Sequence, residues 1–300
     1  MSRGEPSGPS VLPRSVGFAP AVAAMGIFLV IPLGLVLVYS LLVKGTYGGV
    51  IWQFSLDAYR KIAVIKQLDG SHAINITFVI VFFRSLVLAA ATTLVCAAIS
   101  FPAAYYISRR KALIKGLLLL LIMFPFWSNL LVRTSSWIIL FRDQGFINYI
   151  LQATGLTDEP LSLLYTDGAV LVGLVYVYLP FMLLPVFTSI ERLDRRLIEA
   201  AYDLYASKSQ VLWQIILPLT WPGLVAGSIL VFIPSLGAFI TPDLLGGGRK
   251  LMLGSLIQMQ FTTARDWPYG AALSVILLVL VVVTFVLTAR RARPSATRGA

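Results

Sequence analysis

The chain has 300 residues, 58% of them hydrophobic and 12% charged, with a mean hydropathy of +0.86. A soluble domain of this size carries roughly 25% charged residues, and its apolar residues recur at helical or strand period where here they form long runs, so an ordinary water-soluble globular domain is excluded. The formal net charge is +11, but the cations cluster beside apolar runs, which reads as topology signal and contact with lipid headgroups and argues against nucleic-acid binding.

Residues 1–15, rich in Ser, Pro and Gly, are expected to form a disordered cytoplasmic tail. Six apolar segments follow, each long enough to supply the about 20 residues that cross a bilayer core. They are Phe18–Val43, Phe78–Ser108, Leu113–Phe141, Ala169–Ile190, Ile215–Ile240 and Ala271–Ala289. The first is too long for the apolar region of a signal peptide and is expected to be a retained span. The third is expected to be either one tilted helix or a helix with a short re-entrant extension around Pro125-Phe126-Trp127. Pro32, Pro102, Pro125, Pro180, Pro185, Pro222 and Pro234 lie in or near spans and read as kinks that shape packing. The membrane domain is thus placed at 16–290, with a second cytoplasmic tail at 291–300.

Cations decide orientation. Arg109, Arg110, Lys111 and Lys115 follow the second span, Arg192, Arg195, Arg196 and Lys208 follow the fourth, and Arg290, Arg291, Arg293 and Arg298 follow the sixth. All three clusters share one side of a six-span chain, which predicts that both termini are cytoplasmic. The loop bearing Asp143, Asp158, Glu159 and Asp167 then lies outside. Lys44–Thr77 also falls outside although it carries Lys44, Arg60, Lys61 and Lys66; it is a longer segment, in which charge weighs less.

Chemistry-bearing clusters are scarce. The single cysteine, Cys96, cannot form an intrachain disulfide, and the single histidine, His72, rules out a His-rich metal or catalytic cluster. Gly246-Gly247-Gly248-Arg249-Lys250 lacks the spacing and hydroxyl of a phosphate-binding loop and reads as a turn. ATP hydrolysis by this chain itself is therefore not expected.

The informative stretch connects the fourth and fifth spans, about 191–217. Ile198, Ala201, Leu204 and Tyr205 recur at helical spacing as an apolar face, while Glu199, Asp203 and Lys208 are polar positions. A second helical stretch from about Ser207 presents Val211, Leu212, Ile215 and Ile216 before Pro218. Ala200, Ala201 and Ala206 permit close approach to a partner, as suits a short amphipathic helix docking in a groove. Periodicity leaves open an ordinary amphipathic helix resting on the membrane surface.

Glu199-Ala200-Ala201, followed at the right spacing by Ile215, Leu217 and Pro218, resembles the coupling loop of permeases of binding-protein-dependent ABC importers. Tyr205 stands where that family carries glycine, which predicts either a turn with different backbone angles or continuous helix with the ring packed on a partner. Phe232-Ile-Pro-Ser-Leu-Gly237, Leu244-Leu-Gly-Gly247 and Arg265-Asp-Trp-Pro268 are similar to the C-terminal half of spermidine/putrescine-type permeases. Ser100-Phe-Pro-Ala-Ala-Tyr105, Phe124-Pro-Phe-Trp127, Arg133-Thr134 and Trp137 match that group in kind.

The resemblance implies an all-α integral membrane protein of six transmembrane helices, with the type I ABC importer permease (MetI-like) fold, in the bacterial inner membrane. It implies a second permease chain, an ATPase dimer that binds ATP and Mg, and an external substrate-binding protein, with no cofactor in this chain. Glu199 to Lys208 would contact the ATPase. Polar or ionisable groups in and near spans are candidates for the solute pathway. These are Asn129 and Ser235, with Phe239, Asp243, Asp266 and Trp267 near the external mouth, where carboxylates and aromatic faces suit a polycation. Arg133 would repel a polycation and is expected to pair with an acid or a lipid phosphate. Permeases for iron, sulfate, phosphonate or amino acids share the coupling loop, so cargo stays open. A secondary transporter or intramembrane enzyme is disfavoured by the near absence of acids, and the absence of histidine, within the spans.

Overall fold

The computed structural model describes residues 14–66 and 72–292. Most of both expected tails lies outside the described residues. In a bilayer each backbone polar group must be satisfied within its own segment, so the apolar runs fold as helices.

The centre of the molecule is three long helices, α3 (Ile76–Ser108), α7 (Asp167–Glu191) and α10 (Leu217–Leu236). Asn75 and Thr166 start the first two, their side chains accepting hydrogen bonds from the backbone N–H of Phe78 and Ala169. Cys96 and Ala104 of α3, Met182, Leu183 and Val186 of α7, and Val231 of α10 form one buried cluster. At Gly223 and Gly227 an added Cβ would run into Ser189 and the Pro185 carbonyl, and into Met182, respectively. Glycine there lets the α10 backbone lie against α7, the small-residue packing that membranes favour. Hydroxyls within this core turn back on their own helices, Thr92 Oγ1 to Leu88 O and Thr220 Oγ1 to Ile216 O at 2.7 Å each.

Around this centre run α1 (Arg14–Tyr39), which packs along α13 (Trp267–Ala292), and α12 (Leu253–Thr262), wedged between α13 and α3. Between α1 and α3 the chain is not a plain loop. β1 (Leu42–Lys44) pairs antiparallel with β2 (Val50–Phe54), then come α2 (Asp57–Ala63) and a second antiparallel pair, β3 (Val64–Lys66) with β4 (His72–Ile74). Helix is thus the rule for the long apolar runs, while this stretch of short, mixed segments pairs part of its backbone in two antiparallel strand pairs.

The third apolar segment is broken. α4 (Ala112–Met123) gives way to a 3₁₀ turn at Phe124–Trp127, and α5 (Leu130–Phe141) and α6 (Phe146–Ala153) continue at 92° to it. Pro125 lacks an N–H, Ser128 and Asn129 are extended, and the Asn129 side chain accepts from Leu131 N–H at 2.8 Å to open a new helix. A single tilted helix is therefore excluded.

The fifth segment begins earlier than Ile215. α9 (Lys208–Gln210) runs through a π-helical turn at Val211–Ile216 directly into α10. Pro218 cannot donate to the carbonyl four residues back, and a widened turn at such a point accommodates the missing bond. The helix stops at Gly237, short of Ile240, and α11 (Ile240–Gly246) is separate. Among the described residues, four helices are long and apolar enough to cross a membrane and the bent pair makes a fifth; α1 carries a shorter apolar stretch, Ala24–Tyr39.

Candidate coupling loop and solute pathway

Asp194 opens α8 (Arg195–Asp203) by accepting from Arg196 N–H, and Ser207 and Gln210 form a reciprocal capping box that opens α9. Between the two helices the chain closes on itself. Tyr205 N–H donates to Tyr202 O at 2.9 Å and Ala206 N–H to Ala201 O at 3.0 Å, the paired bonds of a Schellman motif. The motif requires left-handed angles at position 205, and Tyr205 takes them, with φ at 60°. Tyrosine thus replaces glycine without altering the turn, and neither different angles nor continuous helix is found. For a residue with a Cβ this conformation costs about 1–2 kcal/mol.

The helix pair is seated on the bundle. Ala201, Val211 and Ile216 are buried, with Ile198, Ala206 and Ile215 partly so, against Phe101 and Tyr105 of α3. Glu199, Ala200 and Asp203 are exposed, Leu217 is half-buried and Pro218 exposed. The apolar face read from periodicity is only half buried: Leu204 is 82% and Tyr205 97% exposed. α8 ends at Asp203, so these two side chains leave the helical register and project from the tip of the turn. A cavity of about 360 Å³ separates α8 from the ends of α3 and α7, lined by Tyr105, Arg109, Glu191, Glu199 and Tyr202 among others. Arg109 lies over the Tyr105 ring at 4.3 Å, and Lys115 holds Glu191 at 2.5 Å.

The candidate pathway residues do not form one constellation. Asn129 caps α5, and Ser235 is fully buried with its hydroxyl donated to Val231 O at 2.7 Å. Phe239, 43% exposed, and Asp243, exposed, lie four residues apart at the start of α11, and Asp243 has no ion pair among the described residues. Asp266 is only 4% exposed. Lys61 Nζ donates to its Oδ2 at 2.5 Å, Lys44 stands at 3.7 Å, and Tyr269 N–H donates to Oδ1 at 3.3 Å. Trp267 packs against Tyr39, ring centroids 6.3 Å apart.

One ion-pair cluster was not read from the sequence. Asp167 is shared by Arg84 at 3.4 Å and Lys250 at 3.3 Å, tying α3 and the segment after α11 to the start of α7. A cation inside a span was the available signal for Arg84. Arg133 has no acidic partner among the described residues; its guanidinium lies 5.5 Å from the centroid of Phe126, and its Nε is buried without a hydrogen bond.

Apolar helices with internal prolines, a span broken at its middle, and a helix pair folded against one end of the bundle fit the membrane permease that the sequence led us to expect. Residues 78–293 match the family model described as binding-protein-dependent transport system inner membrane component, and the chain belongs to that family. It is 37% identical over 267 residues to the spermidine/putrescine transport system permease protein PotB of Salmonella typhimurium (strain SL1344), covering 89% of each chain. With the protein of that name from Escherichia coli K12 it shares 37% over 254 residues, 85% of this chain and 88% of the relative. Among solved structures, a chain of a bacterial alginate ABC transporter in complex with its pentasaccharide-bound periplasmic protein superposes with a TM-score of 0.70 at 15% identity. That match covers 95% of this chain and 96% of the other, and shows a common fold.

Proposed function

We propose that this chain forms the translocation pathway of an ATP-driven importer of polyamines of the spermidine and putrescine class. The observation that carries the reading is the α8–α9 pair, seated on α3 through Ala201, Val211 and Ile216 while Glu199, Asp203 and the turn stay exposed. A second permease chain completes the pathway, an external binding protein delivers the solute, and an ATPase dimer holding ATP and Mg docks on Glu199 to Lys208. Its closure moves α8 and α9, and through them α10, because α9 runs into α10 without a break. Such a permease needs two helix packings a few kcal/mol apart that nucleotide and solute bias in opposite directions. The chain crosses the inner membrane six times with both termini in the cytoplasm, α1 being the first crossing. The cargo reading is supported by the two PotB relatives, and within the pathway by Phe239 and Asp243, an aromatic face and a carboxylate four residues apart on α11. Asp266 instead holds Lys61 and Lys44, which leaves it a structural role.

Glu199→Arg is the clean test, because Glu199 is exposed, whereas Ala201 is buried and Ala201→Asp would unpack the loop itself. Purified from its native membrane, the tagged wild-type chain retains an ATP-hydrolysing subunit and the complex shows binding-protein-dependent hydrolysis stimulated by spermidine. Glu199→Arg loses both while its own unfolding temperature is unchanged. Retention of full coupling by this variant would remove the basis of the reading.

A further inference from the structure

We infer that Tyr205, with Leu204 beside it, is an apolar knob that seats in a hydrophobic pocket of the ATPase subunit, an inference that rests on the proposed coupling role of this loop. Three observations converge. Tyr205 is 97% and Leu204 82% exposed, the two standing together at the turn between α8 and α9. The turn itself is rigid: two Schellman bonds close it, the Ser207–Gln210 capping box follows at once, and Ala201 and Val211 anchor its base. The ring is held out at φ 60°, a conformation glycine adopts freely and tyrosine only under strain. A strained backbone carrying a wholly solvated aromatic side chain has no gain within this chain to offset it; a contact made in the assembly supplies one. Rigid presentation of a tyrosine is the usual form of a binding hot spot, since little side-chain freedom is lost on docking. The occupant follows from continuity. The same turn joins the exposed Glu199 and Asp203 to Lys208, the stretch on which the ATPase subunit docks in the proposed reading.

The test compares wild type, Tyr205→Phe, Tyr205→Ala, Tyr205→Gly and Glu199→Arg in the assembled transporter purified in detergent, timing release of the ATPase subunit after dilution. Tyr205→Phe stays close to wild type, and Tyr205→Ala and Tyr205→Gly both release the subunit about tenfold faster or more. Tyr205→Gly is the deciding variant, because it relieves the strain and keeps the turn. Release from it at the wild-type rate overturns the knob. If Glu199→Arg also releases at the wild-type rate, the coupling reading falls with it; if Glu199→Arg alone accelerates release, only the knob is lost. A photoreactive benzophenone amino acid at position 205 gives a second readout: cross-links to the ATPase subunit support the inference, and cross-links confined to phospholipid overturn it.

Discussion

Asp266 and Asp243 lie near helix ends remote from the coupling loop, and their surroundings assign them different work. Asp266 is buried, bonded to Lys61 and to the first turn of α13, and thereby ties α2 and the β1–β2 hairpin to the last helix. Asp243 is exposed and has no ion pair among the described residues. Asp266→Asn is therefore expected to cost about 1–2 kcal/mol, kept low because Lys61 is half exposed, and to lower the unfolding temperature in detergent by a few degrees. Asp243→Asn leaves that temperature unchanged and lowers spermidine uptake into proteoliposomes about tenfold, as loss of one recognition charge should. Equal uptake by the two variants would mean that Asp243 does not meet the solute. Both aspartates were visible in sequence as pathway candidates near the external mouth. Their separation was not, because it depends on Lys61, 205 residues away from Asp266 along the chain.

Among elements, the contact of α7 with α10 is exacting, since glycine sets its distance. Gly223→Leu must displace the Pro185 carbonyl and Ser189, and the expected penalty is about 1–3 kcal/mol, seen as a lower unfolding temperature. Gly116→Leu, on an open face of α4, supplies the comparison and is expected to be neutral. In the coupling loop Tyr205→Gly should raise the stability of the free chain by about 1–2 kcal/mol, through relief of the left-handed conformation. The helices themselves were legible because a continuous apolar run has few other solutions in a bilayer. Ends and breaks were less so: Pro125 marked the third span for interruption, but the 92° turn depends on Asn129 capping a new helix. The π turn before Pro218 extended the fifth span backwards into the loop.

Across the whole molecule, the three Arg/Lys clusters and the course of the helices make a topology that can be read chemically. Cys96 is fully buried, so the wild-type chain offers a quiet background for thiol labelling. A cysteine at Asp158 should react with a membrane-impermeant maleimide on intact spheroplasts, and one at Ser209 only after permeabilisation. The reverse pattern would invert the proposed orientation and put the α8–α9 pair on the wrong side for an ATPase. Sequence by itself determined the membrane class, the helical spans and the permease family, because long apolar runs and the Glu199–Pro218 spacing are local features that need no distant partner. The tertiary structure alone decided what each polar residue is available for. It committed Asn129, Ser235 and Asp266 to caps, helix backbone and ion pairs, left Asp243 without an ion pair among the described residues, and turned Leu204 and Tyr205 outward. Availability depends on which groups the fold brings within hydrogen-bonding reach, and that is set by packing between segments far apart in the chain.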